Sequence, residues 1–438
     1  MRLVRYSNLV TFEGDFYVFN QMNGTILQIS YDTYKALKNQ DYDSISEEEK
    51  SFLANRGFLV KDTYDEKAIL DLDIQRISHA RPSTFSLAIG PTMSCNFNCF
   101  YCFEQDFRHK TPPWRKMSKE TADQTIKFVQ NTIPVSTPLE IIWYGGEPLL
   151  APEVIEYLGT RLQEVGYQFK DNETFIITNG YYLTEKNVKK LVDTVKLRRA
   201  QVTIDGPRNI HNRRRPLIDG TGTYDVIMGN VAIAAHYLDS IVLKINVDKT
   251  NVEYVPDLLD IIKNELPSNV FPSVDSVATE TVENPKFSSI CFTAQEYASV
   301  YKQYFFLRND LPRPSLTCSA NTESGFGIDD EGYLYKCWEE LGKKSVAVGN
   351  VWEGITNYEL YKKWLTLDTS KYPEKCESCS ILPLCGAGHC PNKILFPDHY
   401  SNSIDCIPAK WFLEDFLKSY IKKHRNSIEK SITLQRRQ

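Results

Sequence analysis

In the middle of the chain, short apolar runs typical of β-strands alternate with segments whose apolar residues recur at helical spacing. Short, largely apolar runs that predict strands lie at 85–89, 139–144, 175–178, 201–204 and 241–247, with a weaker one at 274–278. Between them, apolar residues recur at helical spacing: Ala122, Ile126, Val129 and Ile133, then Val154, Leu158, Leu162 and Val165, then Ile227, Val231, Ala234 and Leu238. Ser118 is a suitable N-cap for the first of these helices. This alternation predicts an α/β fold with a parallel sheet, open or curled into a barrel, whose ligands bind at the carboxyl ends of the strands.

A small unit at residues 1–75 precedes the alternating region. Apolar runs at 15–19 and 26–29 flank Asn23-Gly24, a dipeptide that is typical of a hairpin turn. A short helical pattern follows near 31–37. Ser46 with Glu49 then forms a capping-box start, and Gly57 supplies a helix stop. The pattern predicts a winged-helix-like module, with a plain N-terminal cap on the larger domain as the alternative.

The pattern changes again from about residue 311. Pro312 and Pro314 interrupt the chain, strand patterns become short, and cysteines dominate. The last segment is rich in lysine and arginine, which predicts a solvated basic tail. We therefore divide the chain into units at 1–75, 82–310, 311–420 and 421–438.

Composition and charge restrict the class of protein. The chain has 438 residues, of which 42% are apolar, enough to bury a core and to exclude a wholly disordered protein. Its formal net charge of −5 argues against nucleic acid as the main partner. No run approaches the roughly 18 to 20 apolar residues that cross a bilayer, and the N-terminus lacks the features of a signal peptide. We therefore expect a cytoplasmic protein with no membrane partner.

The cysteines are clustered. Three of the eleven lie between 95 and 102, seven lie between 318 and 406, and Cys291 stands apart. In a reducing compartment, clustered thiols are metal ligands more often than disulfides, and an odd total fits a disulfide framework poorly.

The first cluster, Cys95, Cys99 and Cys102, has a C-x3-C-x2-C spacing on the loop after the strand at 85–89. Three thiolates on one loop cannot close a four-coordinate zinc site without a fourth ligand. A cubane iron–sulfur cluster held by three cysteines leaves one iron open, where a ligand can react. A purely structural metal site is the alternative.

With Tyr101 directly before its last cysteine, this loop resembles the signature of the radical S-adenosylmethionine (radical SAM) enzymes. Three strand-end motifs follow in the order expected for that family: Gly145-Gly146-Glu147-Pro148, Thr178-Asn179-Gly180 and Asp205-Gly206-Pro207. The resemblance implies a 4Fe–4S cluster on the three cysteines, which are the catalytic residues, with its open iron chelating S-adenosyl-L-methionine. Reductive cleavage then yields a 5′-deoxyadenosyl radical that abstracts a substrate hydrogen.

The resemblance also implies the contacts to S-adenosylmethionine. The residues it assigns to the cofactor are Tyr101, Gly145, Gly146, Glu147, Thr178, Asn179, Asp205 and Arg215. Glu147 would accept from the methionine ammonium, Arg215 would pair with the methionine carboxylate, and Tyr101 would lie beside the adenine. Asp205, His211 and Arg215 are equally suited, taken singly, to fixing their loop.

The second cluster contains Cys318, Cys337, Cys376, Cys379, Cys385, Cys390 and Cys406. Seven thiolates exceed one tetrahedral site and fall one short of two. With Gly332 five positions before Cys337, their order resembles the SPASM extension of peptide-modifying radical enzymes. That extension binds two auxiliary 4Fe–4S clusters, so the resemblance implies three clusters in all.

The resemblance implies that the ligands of the two auxiliary clusters interleave. The first set is Cys318, Cys337 and Cys390, and the second set is Cys376, Cys379, Cys385 and Cys406. The family usually has three residues before its last closely spaced cysteine, whereas this chain has four, so His389 is an alternative to Cys390. The first set lacks a fourth ligand for its cluster, and that ligand could be Cys291, a non-cysteine residue, solvent or a substrate thiolate. A zinc ribbon is the competing interpretation of this region.

Nearly the whole chain resembles maturases of ribosomally made peptides. The implied architecture is a partial (β/α)6 radical SAM barrel with an N-terminal winged-helix-like peptide-recognition unit and a C-terminal SPASM iron–sulfur domain. The unit at 1–75 would capture the leader of a precursor peptide as an added strand near 16–29, beside a helix near 32–37. The expected product is a cross-link, with a thioether as first choice, formed when the substrate radical loses an electron to an auxiliary cluster. A carbon–carbon or carbon–oxygen cross-link is the alternative. A flavodoxin- or ferredoxin-type protein would donate the electron for the first step.

Three other functions remain open from the sequence. A sulfatase-type maturase, which oxidises cysteine or serine to formylglycine, shares both cysteine regions but does not need a leader-binding unit. An enzyme that modifies tRNA would favour a basic face, which the net charge of −5 disfavours. A non-catalytic zinc or iron–sulfur adaptor is the alternative of a different class.

Overall fold

The computed structural model describes residues 1–80, 83–102, 104, 113–277, 289–304, 317–372, 374–385, 390–396 and 406–432. Some residues named above lie outside these ranges: Ala278, Pro312, Pro314, His389 and 433–438. No helix in the described part of the chain is both long enough and apolar enough to cross a bilayer.

The N-terminal unit is built around an antiparallel meander. Its strands are β1 (Arg2–Leu3), β2 (Ser7–Phe12), β3 (Asp15–Asn20), β4 (Thr25–Ile29) and β5 (Leu59–Val60), and its helices are α1 (Tyr31–Asn39), α2 (Glu47–Asn55) and α3 (Glu66–Ser78). β2, β3 and β4 pair in sequence, which confirms the predicted hairpin, while β1 pairs with β5. Ser46 caps α2 by accepting from the backbone of Glu49, and Gly57 follows that helix at a φ of 76°, as predicted.

The central domain alternates strand and helix as the apolar pattern predicts. Its strands are β6 (Phe85–Ile89), β7 (Leu139–Trp143), β8 (Phe169–Thr178), β9 (Arg199–Thr203), β10 (Ser240–Val247) and β11 (Val270–Ser276). Its helices are α4 (Lys119–Thr132), α5 (Pro152–Glu164), α6 (Glu185–Val195), α7 (Arg208–Arg214), α8 (Tyr224–Ala234), α9 (Val255–Glu265) and α10 (Ala294–Tyr304). The six strands are parallel and pair in chain order. This confirms the α/β class with a parallel sheet.

Strand β10 shows why this pattern forms a sheet. Its residues are alternately buried and half-buried along the whole strand, so Ile241, Leu243, Ile245 and Val247 all enter the core. The side chain of Ser118 caps α4 by accepting from the backbone of Thr121 at 3.0 Å. Such short, well-capped units connect each strand to the next and leave the carboxyl ends of the strands on one side.

The C-terminal region extends the same sheet. Its strands are β12 (Gly325–Ile328), β13 (Tyr333–Tyr335), β14 (Gly349–Asn350), β15 (Gly354–Ile355) and β16 (Glu429–Lys430), and its helices are α11 (Tyr358–Leu365), α12 (Pro391–Leu395) and α13 (Ala409–His424). β12 runs parallel to β6, and β13 to β15 then add in antiparallel order. The described strands therefore form a ten-stranded sheet from β11 to β15.

The end of the chain differs from the solvated basic tail that we predicted for 421–438. Helix α13 runs to His424, Ile421 is fully buried, and β16 pairs with β4 of the N-terminal sheet. The prediction weighed only the charges of this segment. Ile421, Ile428 and Ile432 are spaced between those charges, and all three pack against the N-terminal unit.

The N-terminal unit is also less separate than its sequence suggests. Val4 and Tyr6 share an apolar cluster with Cys376 and Leu382 of the C-terminal region. Arg5 donates to the carbonyl oxygen of Glu377 at 2.9 Å. Helix α3 continues to Ser78, past the boundary that we expected at residue 75.

Candidate active site

The loop after β6 places three cysteines at the carboxyl end of the parallel sheet. Cys95 and Cys99 are buried and Cys102 is half-buried. The loop is fixed from the C-terminal region, because the carboxylate of Asp330 accepts from the backbone of Met93 at 3.1 Å. The same carboxylate accepts two hydrogen bonds of 3.0 Å from the guanidinium of Arg115. The C-terminal region therefore positions the cysteine loop.

The glycines after β7 press against this loop. A Cβ atom on Gly146 would lie 2.3 Å from the carbonyl oxygen of Ser94, and one on Gly145 would lie 2.5 Å from that of Thr92. The backbone of Glu147 donates to the carbonyl oxygen of Ser94 at 2.8 Å. The resemblance assigns both glycines to the cofactor, and in the structure the space beside their Cα atoms is filled by the backbone of the cysteine loop.

Glu147 ties together the ends of two neighbouring strands. Its fully buried carboxylate accepts from the hydroxyl of Thr178 at 2.7 Å, from the backbone of Asn179 at 2.7 Å and from the backbone of Leu149 at 2.9 Å. Burial raises the pKa of Glu147, and the three donors oppose that rise. Among the described residues, Oε2 accepts only from Asn179, so this oxygen can accept a second bond from a cation beside the cysteine loop.

Asn179 joins the end of β8 to the cysteine loop. Its side-chain amide donates to the side-chain oxygen of Asn96 at 2.8 Å and lies 4.0 Å from the sulfur of Cys95. On the other side of the same loop, the backbone of Asn98 donates to the carbonyl oxygen of Pro216 at 2.9 Å. The strand-end motifs therefore converge on the three cysteines, as the sequence predicts.

Arg215 is a buried cation with a free donor in this site. Its side chain is 8% exposed, and its Nε has no hydrogen-bond partner among the described residues. Burial alone would lower the pKa of Arg215, but Cys99, Tyr101 and Asp205 raise it well above the ordinary arginine value. A permanently charged, partly unsatisfied guanidinium directly after α7 fits a carboxylate ligand.

Tyr101 occupies a position that its sequence did not predict. Its hydroxyl donates to the carboxylate of Asp205 at 2.5 Å and accepts from Nη1 of Arg215 at 2.6 Å. Burial raises the pKa of Tyr101 well above its usual value, so the hydroxyl keeps its proton for Asp205. The phenol thus orients the guanidinium, in addition to any role beside a nucleoside base.

Arg213 and Arg214 end α7 and Arg215 follows it, and the three arginines have different environments. Arg213 is exposed and donates to the backbone of Asn209. Arg214 is buried between Asp205, at 3.3 Å, and Asp248, at 2.9 Å, and therefore forms a structural ion pair. Only Arg215 combines burial with an unpartnered donor among the three.

His211 fixes the loop. Its fully buried ring accepts from the backbone of Asp205 through Nδ1 at 3.3 Å, so its proton is on Nε2, which lies 3.0 Å from the hydroxyl of Thr223. That hydroxyl donates to the carbonyl oxygen of Arg215 at 2.8 Å. Burial, with Arg215 and Arg214, lowers the pKa of His211 well below its usual value, so the ring is neutral. The sequence left two roles open for His211, contact with a ligand and fixing of its own segment. These contacts favour the second role.

The C-terminal cysteines lie in two groups. Cys337 is buried, interacts electrostatically with Cys390 and Cys318, and accepts from the side-chain amide of Asn392 at 3.2 Å. Burial raises the pKa of the Cys385 thiol to about 11, and the nearby thiols of Cys379, Cys406 and Cys376 contribute to the rise. These interactions are consistent with the two sets that the sequence resemblance implies, and the assignment of those sets as cluster ligands stays a prediction.

Cys291 belongs to neither group. It packs with Val277 and Tyr101 near the active-site loop, and burial raises the pKa of its thiol to about 11. Among the described residues, no three histidine, cysteine or acidic side chains are close enough to hold one metal ion. A cubane cluster requires a wider set of sulfurs, because each cysteine binds a different iron.

Sequence reasoning missed the residues that support this site from outside its motifs. Arg115 and Arg214 have no motif around them, and their roles depend on contacts with distant carboxylates. Asp330 offered a signal, because it lies two positions before Gly332 of the motif that contains Cys337.

Comparisons with known proteins agree with this geometry. A family model described as the radical SAM superfamily matches residues 89–281. The chain is 24% identical over 368 residues to a cysteine-type anaerobic sulfatase-maturating enzyme of Clostridium novyi (strain NT), and the match covers 76% of this chain and 95% of that protein.

Solved structures share the fold. The structure of native anSMEcpe with bound AdoMet has a TM-score of 0.59 at 20% identity and covers 78% of this chain and 99% of its own. Native anSMEcpe with bound AdoMet and Cp18Cys peptide has a TM-score of 0.58 at 20% identity and also covers 78% and 99% of the two chains. About a fifth of the present chain thus has no counterpart in those structures.

Proposed function

We propose that this enzyme, which carries a radical SAM domain at residues 89–281, installs a cross-link in a ribosomally synthesised precursor peptide. A thioether between a cysteine sulfur and a carbon of the same peptide is the first choice. The observation that carries the proposal is Arg215, a buried guanidinium with an unpartnered Nε beside the cysteine loop. It provides a site for the methionine carboxylate of S-adenosylmethionine next to Cys99.

The residues around the cysteine loop fit the cofactor. Cys95, Cys99 and Cys102 would hold the 4Fe–4S cluster, which with S-adenosylmethionine supplies a 5′-deoxyadenosyl radical when both are bound. Glu147 offers an acceptor to the methionine ammonium, and Arg215 offers donors to its carboxylate. In this step, Glu147 and Arg215 would hold the charged methionine end of the cofactor in one orientation.

The two C-terminal groups would hold the auxiliary clusters. Cys318, Cys337 and Cys390 supply three thiolates for the first cluster, which leaves one iron for the thiolate of a substrate cysteine. The second group supplies four: Cys376, Cys379, Cys385 and Cys406. The interactions of Cys337 with Cys390 and Cys318 support the first set, and those of Cys385 support the second.

The proposed reaction balances in atoms and electrons. The peptide loses one hydrogen atom from carbon to the adenosyl radical and one proton from the cysteine thiol. A sulfur–carbon bond forms, and one electron leaves the peptide for an auxiliary cluster. A flavodoxin- or ferredoxin-type protein would donate the electron that starts each turnover.

The N-terminal unit supports a peptide substrate. Sheets extend readily by an added peptide strand, whose backbone pairs with an edge and whose side chains enter pockets. Phe16 of β3 packs against Tyr31 and Tyr34 of α1, with ring centroids 5.2 Å and 4.9 Å apart, so an aromatic surface lies beside the sheet.

The test is anaerobic co-expression with a cysteine-containing peptide encoded beside this gene, followed by mass spectrometry. A thioether product loses two hydrogens, keeps its sulfur and no longer reacts with a thiol reagent. A peptide recovered with unchanged mass, while the enzyme still forms 5′-deoxyadenosine, would exclude that peptide as substrate.

Formylglycine formation is the second candidate, favoured by the 24% identity to a sulfatase-maturating enzyme across 95% of its length. The same mass measurement separates the two functions. Conversion of cysteine to formylglycine removes the sulfur and leaves an aldehyde that reacts with hydrazides, whereas a thioether retains sulfur and has no aldehyde.

A further inference from the structure

The edge of the N-terminal sheet is already filled by a segment of the C-terminal region. β16 runs parallel to β4, with Glu429 opposite Leu27 and Lys430 opposite Gln28. The next residue, Ser431, donates its backbone N–H to the carbonyl oxygen of Gln28 at 2.9 Å. The sheet therefore has the order β16-β4-β3-β2, and its outer strand is the one that is most distant in sequence from the other three.

Side chains on both sides anchor this strand. The carboxylate of Glu429 forms an ion pair with Arg56, which follows α2, and one of its bonds is 3.1 Å long. Ile428 is buried in the cluster on one face of the sheet, and Ile432 packs into the cluster on the other face. The segment thus occupies both the hydrogen-bonding edge and the pockets beside it.

The backbone pairing of β16 with β4 is short. Only two residue pairs join β16 to β4, and the ion pair that holds it is between partly exposed side chains, which stabilises weakly. Helix α13 has separate anchors, because Leu417 and Ile421 are buried against the sheet and Arg425 pairs with Asp15. Ile428 shares the cluster of Leu417 and Ile421, so release of β16 requires Ile428 to leave that cluster while α13 keeps its own contacts.

We propose that the edge of β4 is an acceptor site for an extended peptide strand, and that residues 428–432 are an intramolecular competitor for that site. The partner is a peptide with a β-branched apolar residue followed by an acidic one, because the site holds Ile428 in an apolar cluster and Glu429 against Arg56. The strand-acceptor site rests on these contacts, and its use by a substrate peptide rests on the proposed function.

The test uses the full-length chain and a fluorescein-labelled synthetic peptide of residues 426–434. In the wild type the tethered segment 428–432 competes with the peptide for the edge of β4 and lowers its apparent affinity. Glu429→Arg places a like charge opposite Arg56 and so weakens the pairing of the tail with β4, whereas the added peptide keeps its own glutamate. Fluorescence anisotropy should therefore show that this variant binds the peptide about fivefold more tightly than the wild type does. Ile428→Asp should release the tail in the same way, by placing a charge in an apolar cluster.

Two matched variants complete the test. Arg56→Glu should weaken binding of the peptide about fivefold relative to Glu429→Arg, because the glutamate of the peptide then faces a like charge. Arg56→Glu with Glu429→Arg should restore the tail through a reversed ion pair and bind the peptide more weakly than the wild type does. Thermal unfolding of each variant shows that it is folded. Equal affinity in the wild type and in both tail variants, or no binding to either tail variant, would overturn the proposal.

This assay contains no iron reductant, S-adenosylmethionine or precursor peptide. Failure of cross-linking therefore leaves its result unaffected. If the peptide binds as predicted but a substrate leader does not compete with it, the acceptor site stands and the leader-binding part of the proposed function is contradicted.

Discussion

The hydroxyl of Tyr101 accepts a hydrogen bond of 2.6 Å from Nη1 of Arg215. Tyr101 directly precedes Cys102, and the same hydroxyl donates to Asp205 at the end of β9. The orientation of the guanidinium is therefore coupled to the loop that carries the cysteines, so that a ligand held by Arg215 has a fixed position relative to that loop.

Replacement of this phenol tests the coupling. Tyr101→Phe keeps the ring but removes one donor and one acceptor, which leaves Arg215 and Asp205 each short of a partner in a buried site. A hydrogen bond to a charged group contributes about 1.5–3 kcal/mol. We expect S-adenosylmethionine to bind about tenfold or more weakly, measured by equilibrium dialysis, with the iron content unchanged. Unchanged affinity would show that Tyr101 does not orient Arg215.

The guanidinium itself is tested by Arg215→Lys. A lysine keeps the charge but loses the planar set of donors, including the unpartnered Nε, so binding of a carboxylate should weaken about 10- to 100-fold. The matched control is Arg213→Lys, two residues earlier in α7, where the side chain is exposed and its replacement should leave the dissociation constant for S-adenosylmethionine as in the wild type. Equal effects of the two substitutions would refute the assignment of Arg215.

The contact between the glycines and the cysteine loop leads to a prediction on stability. Gly146→Ala places a methyl group 2.3 Å from the carbonyl oxygen of Ser94, so the loop must shift at a cost of about 1–3 kcal/mol. Gly229→Ala is the control, since a Cβ there meets no atom within 4 Å and the residue lies in α8, where alanine stabilises by up to about 1 kcal/mol. Thermal unfolding should show a lower melting temperature for Gly146→Ala and a higher one for Gly229→Ala. An iron assay should show a lower iron content for Gly146→Ala alone.

The C-terminal cysteine groups predict the iron content. If each group holds one 4Fe–4S cluster, Cys337→Ala and Cys385→Ala should each lose about four of about twelve irons after anaerobic reconstitution, because one ligand of a different cluster is removed in each. Both variants should still form 5′-deoxyadenosine. Cys291→Ala is the matched control and should retain all the iron, since Cys291 packs beside Tyr101 instead. Loss of zinc, with iron unchanged, would favour the ribbon interpretation.

The strands were predictable wherever the chain buries one of their faces. β10 is the clearest case, because its buried positions alternate along eight residues. β12 was missed, since the sequence Gly325–Ile328 contains two glycines and its place beside β6 depends on partners far away in the chain. β16 was missed for a similar reason, because two charged residues carry no strand pattern and the neighbouring isoleucines find their partners only in the N-terminal unit.

The sequence predicts which motifs lie at the site, but it does not predict the directions of their side chains. Strand order brings Glu147 and Asn179 to the cysteine loop, as parallel topology requires. Sequence spacing does not indicate where a side chain points, so it could not show that the hydroxyl of Tyr101 meets Arg215. It also could not separate Arg214 from Arg215, since their roles follow from which of them faces Asp248.

The central claim is that Cys95, Cys99 and Cys102 hold the cluster that cleaves S-adenosylmethionine. The most direct measurement compares the wild type with the variant in which all three are alanine, both reconstituted anaerobically, for iron and for 5′-deoxyadenosine. We predict that the variant loses about four of about twelve irons and forms no 5′-deoxyadenosine. A variant that still cleaves S-adenosylmethionine, or a wild type whose three thiols bind zinc, would contradict the account.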